Sequence, residues 1–313
     1  MGQNFKTEEL QTFLEKELSL PLRPLIRLSG HAHSFNFRAE AADGSCRFAV
    51  KCLIRQKRRE EMLARLLAHT QEKRCPLVPT ILFDRRCFSF RDCIVLCFSW
   101  IPGGGKYFDR LTDAERKNFL ASYAEFLHAL RDDGFILPPW EFGETRGRLW
   151  ERVRELRCRP LLREIEQIPS ASLRHTPERM RIIHGDLHYG NFFFDGDRVS
   201  GFLDMEEWRF GYPAEDLIRY VIVSAEHLHW FSWKRRRYLL QAFSALVRET
   251  DYPEDEWMLA IDGYLIRKLA KKIPLTRLSP FLRINLPWRI RFYRALRERV
   301  RQALKTRQER KTK

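Results

Sequence analysis

The sequence predicts an α+β protein of two lobes, and three observations carry that reading. Short β-patterned runs fill the first third, the break Pro102-Gly-Gly-Gly105 follows, and the remainder is patterned mainly as helices. At 313 residues and 44% hydrophobic content the chain is long enough for two lobes, each with its own core. Drawn at the break, the division gives a β-rich N-lobe over residues 1–101 and a helical C-lobe over 102–313.

Residues 5–18 set Leu10, Phe13, Leu14 and Leu18 at helical spacing, and Pro21 and Pro24 end that helix. Ser34 to Ala41 and Cys46 to Ile54 read as strands across the turn Ala42-Asp-Gly44. Residues 56–70 read as a helix with Leu63, Leu66 and Leu67 on one face. Further strands are expected at Thr80 to Asp84 and Cys93 to Trp100. Beyond the glycines, helices are expected at 112–131, 148–166, 214–226, 233–249, 254–272 and 287–309. A strand–loop–strand block from 181 to 204 interrupts them, and Thr306 to Lys313 reads as a disordered end.

No run of eighteen or more apolar residues occurs, which argues against a membrane-spanning helix. The polar, acidic N-terminus lacks the pattern of a signal peptide. The seven cysteines form no Cys-x-x-Cys and no zinc pattern, and read as small buried hydrophobes in a reducing cytosol. Net charge is +16, and Thr276 to Lys313 holds thirteen Lys/Arg against Glu298 and Glu309. Within that tail Phe292, Leu296, Val300, Ala303 and Leu304 make an apolar stripe. Arginines occupy the other faces, giving a basic amphipathic helix. Either the stripe packs on the helical lobe or the helix rests on an anionic membrane, so the expected location is cytoplasmic with peripheral membrane contact left open.

The densest chemical signal is Ile182-Ile-His-Gly-Asp-Leu-His-Tyr-Gly-Asn191, followed by Gly201-Phe-Leu-Asp204. A carboxylate, an amide five positions on and a second carboxylate thirteen further are set among apolar runs. Phosphoryl transfer needs such parts: a base to orient a hydroxyl and two oxygen ligands for Mg²⁺ on ATP phosphates. Phe48-Ala-Val-Lys51 adds a lysine on an apolar strand, a pattern suited to the ATP α/β-phosphates. Ser29-Gly-His-Ala-His-Ser34 is short and carries only one glycine. Gly103-Gly-Gly-Lys106 fails as a Walker A loop, because Trp100 and Tyr107 occupy its Gly and Ser/Thr positions.

These motifs resemble the aminoglycoside phosphotransferase and choline kinase family over roughly residues 25 to 270. The resemblance implies a bilobal, protein-kinase-like fold with ATP between the lobes. It makes Asp186 the catalytic carboxylate and Asn191 and Asp204 the Mg²⁺ ligands. Lys51 would contact ATP phosphates, paired with a carboxylate on the next helix. Helical phase selects Glu60, which shares a face with Leu63 and Leu67, over Glu61. Gly30 and Ser34 would lie in the nucleotide-covering loop, and backbone groups of Ser99 and Ile101 in Ser99-Trp-Ile-Pro-Gly103 would read adenine. Asp216 would steady the catalytic loop, and His184 would brace it. Metal binding by His184 or His188 is disfavoured for want of a third ligand.

The implied activity is Mg-ATP-dependent phosphorylation of a small-molecule hydroxyl. Aminoglycosides are polycations, a poor match to a chain at +16, although Glu206, Glu207 and Glu215 offer a local acidic patch. Choline would want an aromatic cage, for which Trp208, Trp230 and Trp233 are available. A sugar or a glycan or glycolipid precursor fits the charge better, and lipopolysaccharide sugar kinases are distant relatives of similar basic character. A protein kinase is disfavoured by the absence of Ala-Pro-Glu after Asp204. A basic nucleic-acid binder or non-catalytic pseudokinase is disfavoured because none of the catalytic residues is missing.

Overall fold

The computed structural model describes residues 6–31, 34–54, 75–83, 87–130, 150–151, 153–155, 159–166, 177–226, 233–272 and 280–311. The chain divides into two compact units, Met1–Gly104 with Phe193–Glu206, and Gly105–Phe192 with Glu207–Lys313. The proposed Lys51 partner Glu60, with its whole expected helix, lies outside the described residues.

The first unit opens with α1 (Thr7–Leu18), which ends at Ser19 in the left-handed region at φ 50°. An antiparallel sheet follows, with strands β1 (Ile26–His31), β2 (Ser34–Glu40), β3 (Arg47–Ile54), β4 (Phe88–Phe90) and β5 (Cys93–Ser99) in the order β1-β2-β3-β5-β4. Alternation puts Phe48, Val50 and Cys52 of β3 on the face covered by Leu10 and Leu14 of α1, where all are fully buried. Ala49, Lys51 and Leu53 take the opposite face, and β3 is an interior strand between β2 and β5. The cysteines of this unit that are buried, among them Cys52 and Cys97, act as core residues, and burial pushes both thiols up, Cys97 to about 12.

Two strands read correctly from sequence, β2 and β3, flank the expected turn. The run Thr80 to Asp84 does not form a strand among its described residues. It holds one bridge, Ile81 to Phe98, because Pro79 just ahead has no N–H to extend the ladder. β1 and β4 were not expected. β1 is an edge strand whose apolar residues Ile26 and Leu28 are 46% and 51% exposed, so its short alternation serves no core.

The second hairpin, β7 (Phe192–Asp195) and β8 (Arg198–Phe202), forms its own two-stranded sheet. Gly104 exchanges backbone hydrogen bonds with Phe194 at 3.0 and 2.9 Å. Gly103 makes this approach possible: its φ is 93°, and a Cβ there would lie 1.9 Å from the Phe194 carbonyl oxygen. The glycine run thus docks on β7.

The second unit is mainly helical. Its described helices are α2 (Asp113–Ala129), α3 (Arg159–Glu166), α4 (Pro213–Glu226), α5 (Trp233–Glu249), α6 (Glu254–Lys272) and α7 (Pro280–Lys311). Thr112 caps α2 by accepting from Glu115 N–H at 3.2 Å, while the Glu115 side chain accepts from Thr112 N–H at 2.8 Å. β6 (Arg181–Ile183) pairs antiparallel with β9 (Arg209–Gly211), a strand the sequence did not announce. The core gathers Phe119, Tyr123, Phe126, Phe192, Tyr220, Phe243 and Trp257. α7 starts seven residues earlier than expected, carries Pro287 inside it and continues to Lys311, so Thr306 to Lys311 is helical. Its stripe of Phe292, Tyr293, Leu296, Val300 and Leu304 is buried, and α7 packs on α5 and α6. The stripe therefore belongs to the core. No helix among the described residues is long and apolar enough to cross a membrane.

Candidate active site

In the second unit, β6 delivers the chain into a loop over residues 184–191. Asp216, in the first turn of α4, is fully buried and fixes the loop's backbone. Its Oδ2 accepts from His184 N–H at 2.7 Å, and Oδ1 accepts from Gly185 N–H at 2.8 Å. The Tyr123 hydroxyl of α2 donates to Oδ2 at 2.9 Å. Burial pushes the Asp216 carboxyl up to about 6, outweighing the opposing pull of Arg209 and these hydrogen bonds. Arg209 of β9 reaches across, donating to Gly185 O at 3.0 Å and to Glu215 Oε2 at 2.9 Å. Gly185, at φ 78°, is required here because a Cβ would lie 1.9 Å from Glu207 O.

The clamped loop presents Asp186. Asn191 Nδ2 donates to the Asp186 carbonyl at 2.9 Å and lies 3.4 Å from its Oδ2, and Asn191 N–H donates to His188 O at 2.8 Å. His188 Nε2 is 3.9 Å from Asp186 Oδ2, and His184 Nδ1 accepts from Asp186 N–H at 3.3 Å. The structure thus joins Asp186 and Asn191 directly. It also places Arg219 of α4 against Asp186, its Nη2 forming an ion pair with Oδ1. Sequence reasoning missed Arg219. The signal was present: it lies three residues after Asp216, so both share one helix face.

In the first unit, Lys51 is 9% exposed and forms an ion pair with Asp204 Oδ1. A solvent-facing edge lysine is thereby excluded. Asp204 follows β8 in the left-handed region, at φ 58°. Gly30 and Ser34 lie on β1 and β2, where Gly30 pairs with Phe35 and His31 with Ser34. Ser99 N–H already donates to Thr80 O at 2.8 Å, and Ser99 Oγ accepts from Thr80 N–H at 3.0 Å. The Ser99 N–H is thus occupied by Thr80, and Ile101 is buried. A cavity of about 320 Å³ borders this segment, lined in part by Val78, Thr80, Trp100, Ile101 and Ser200.

The donor chemistry suits a hard cation. Asn191 has its amide nitrogen committed to Asp186, which leaves Oδ1 as the oxygen that would suit such a cation; in the first unit, Asp204 carries a carboxylate 39% exposed. Among the described residues no group of three or more His, Cys, Asp or Glu stands ready for a metal. Mg²⁺ needs no such cage when phosphates and water complete its shell.

The family model described as a phosphotransferase enzyme family, APH, matches residues 27–257. The chain belongs to this family. No curated protein matches the sequence. Among solved structures, the GDP complex of aminoglycoside 2'-phosphotransferase-IIIa is similar at a TM-score of 0.63 and 13% identity, covering 95% of this chain and 99% of that one. Spectinomycin phosphotransferase APH(9)-Ia, in complex with ADP and spectinomycin, gives 0.60 at 12% identity, covering 96% and 98%. An aminoglycoside phosphotransferase from Alicyclobacillus acidocaldarius gives 0.60 at 15% identity, covering 88% and 92%. At these identities the likeness is one of fold, and it gives this phosphotransferase the α+β, kinase-like fold expected from its motifs.

Proposed function

We propose that this phosphotransferase moves the γ-phosphoryl group of Mg-ATP onto a hydroxyl of a sugar or of a glycan or glycolipid precursor. The observation that carries the reading is the Asp186 carboxylate beside Asn191 in a loop clamped by Asp216. Asp186 Oδ2 takes the acceptor's hydroxyl proton as the new O–P bond forms, and the γ-phosphorus bond to the ADP oxygen breaks. Lys51 holds the α/β-phosphates, with Asp204 as its partner until nucleotide binds. Asn191 and Asp204 would supply oxygen ligands to Mg²⁺, whose chemistry when bound would be to neutralise phosphate charge. Gly30 and Ser34 cover the phosphates, and Ile101 borders the base.

The acceptor class rests on charge. A chain at +16 with an arginine on its catalytic carboxylate is a poor host for a polycation. The competing reading is an aminoglycoside acceptor, as the names of the similar structures state for those proteins. An ATP-consumption screen over sugars, sugar phosphates, amino alcohols and aminoglycosides decides it. Turnover confined to the aminoglycosides overturns the glycan reading.

Peripheral membrane contact belongs to the same proposal. Arg291, Arg294, Arg301, Lys305 and Arg310 of α7 are exposed, while its apolar stripe is buried. The contact is therefore electrostatic, at roughly 1 kcal/mol per basic residue near an anionic surface.

A further inference from the structure

His188, two residues after Asp186, faces that carboxylate across a gap. Its Nδ1 accepts from Gly190 N–H at 3.0 Å, which leaves the ring proton on Nε2. Nε2 stands 3.9 Å from Asp186 Oδ2, too far for a direct hydrogen bond. Gly190 makes room for the ring, since a Cβ there would lie 3.0 Å from His188 Cε1. Both side chains keep surface for a ligand, His188 being 26% and Asp186 21% exposed. Asp186 Oδ1 is buried, so an acceptor meets the carboxylate from the Oδ2 side, where His188 Nε2 lies.

We infer that His188 is a catalytic residue whose Nε2–H holds the attacking oxygen against Asp186. This rests on the kinase reading above and adds how the nucleophile is held. One oxygen making hydrogen bonds of about 2.8 Å to both atoms spans such a gap at an angle near roughly 90°. A hydroxyl has one hydrogen and two lone pairs. The hydrogen points to Asp186 Oδ2, one lone pair accepts from His188 Nε2–H, and the second is left for phosphorus. As the O–P bond forms and the γ-phosphorus bond to the ADP oxygen breaks, the proton passes to Oδ2 and His188 keeps its own. A donor on the nucleophile lowers its basicity. A loose transition state, however, asks little bonding of the nucleophile and much of its orientation. The contact is to the reacting oxygen and to no substituent, so it serves every acceptor alike, water included.

Two amide substitutions separate this role from bracing of the loop. Glutamine places an N–H where imidazole has Nε2, whereas asparagine places an oxygen where it has Nδ1 and so keeps only the bond to Gly190. The test measures single-turnover ADP formation from Mg-ATP by the full chain, with the sugars, sugar phosphates, amino alcohols and aminoglycosides of the screen and with water alone. Thermal protection by Mg-ATP reports binding separately. His188→Asn should slow ADP formation about tenfold or more with every acceptor that the parent uses, and His188→Gln should stay within about threefold of the parent. Both should be protected by Mg-ATP as the parent is. Parent rates in both variants, equal losses in both, or a rate kept by Asn and lost by Gln overturns the inference, the last result being that of a bracing role. Should either variant fail to fold, His188→Ala takes its place. Its rate should fall as for Asn and recover with added imidazole, and a rate at the parent's level, or one that imidazole does not raise, overturns the inference. No Mg-ATP protection of the parent, or no ADP with any acceptor, instead overturns the kinase reading, so the two failures are distinguishable.

Discussion

Lys51 Nζ and Asp204 Oδ1, 153 positions apart in the chain, form an ion pair within the first unit. The pair brings the strand lysine to the residue that follows β8, and so ties two separately recognised motifs into one arrangement. Replacing Lys51 by Met keeps the buried stem's volume while removing the charge. Lys51→Met should retain the fold, with little change in thermal midpoint, and lose most ATP turnover. Turnover at the parent's level would remove Lys51 from the nucleotide site.

Asp204 also carries a backbone cost. Its φ of 58° is a conformation that Asp and Asn tolerate and Ala does not. Asp204→Ala should therefore be less stable than Asp204→Asn by roughly 1–2 kcal/mol, measured by urea denaturation. Asp204→Ala should also lose Mg²⁺-dependent protection by ATP. Mg-ATP protection equal to the parent's would reject the ligand role.

Asp186→Asn keeps an oxygen toward Arg219 but removes the basic carboxylate. ATP binding should persist while turnover drops roughly 10²-fold or more, as loss of a general base commonly causes. The measurement is ATP consumption with an acceptor from the screen, and unchanged turnover would rule out the role.

Asp186 and Asn191 are legible as candidates because both lie in one short motif, whereas the hydrogen bond that joins them is visible only in the structure. Lys51 was legible because an apolar strand with one lysine is anomalous by itself. Arg219 was not, because its contact spans 33 positions and depends on how α4 meets the loop. Helical phase from Asp216 would have flagged the face, but not its target. Among the elements, α5 and α6 show their own periodicity and stop signals, so their bounds were readable. β9 is three residues long and exists only because β6 pairs with it. α7 runs through Pro287 because its packing, downstream at Phe292 to Leu304, outweighs one lost backbone hydrogen bond.

Glu256, at the start of α6, is buried, and burial raises its pKa from 4.5 to about 7 although Ala214 N–H lies 3.4 Å from its Oε1. Between those values the folded protein holds a proton that the unfolded chain has released. This group's contribution to stability therefore falls as pH rises through that window and stays low above it. Glu256→Gln retains the acceptor oxygen and removes the titration. The variant should match or exceed the parent's stability at about pH 8 and lose part of the decline between about pH 5 and pH 7. Urea midpoints across that range provide the check, and an identical pH slope in both proteins would contradict the assignment.

The last helix separates stability from attachment. Phe292, Tyr293, Leu296, Val300 and Leu304 are buried against the helical unit, and each such apolar side chain is worth about 1.5–3 kcal/mol. Arg297 adds an ion pair with the buried Asp262, its Nε donating to Oδ1 at 2.8 Å. Deleting 287–313 removes an amount comparable to the whole net stability of a typical domain, roughly 5–15 kcal/mol, so the truncated chain should fail to fold. The exposed ridge behaves differently. Arg301 pairs with Glu254 at 3.4 Å with both side chains more than half exposed, a contact worth little in water. Converting Arg291, Arg294, Lys305 and Arg310 to Gln should leave the thermal midpoint nearly unchanged and abolish sedimentation with anionic vesicles at low salt. Vesicle binding that survives in that variant would place the attachment elsewhere, and a soluble, cooperatively folding truncation would show that the stripe is dispensable to the core.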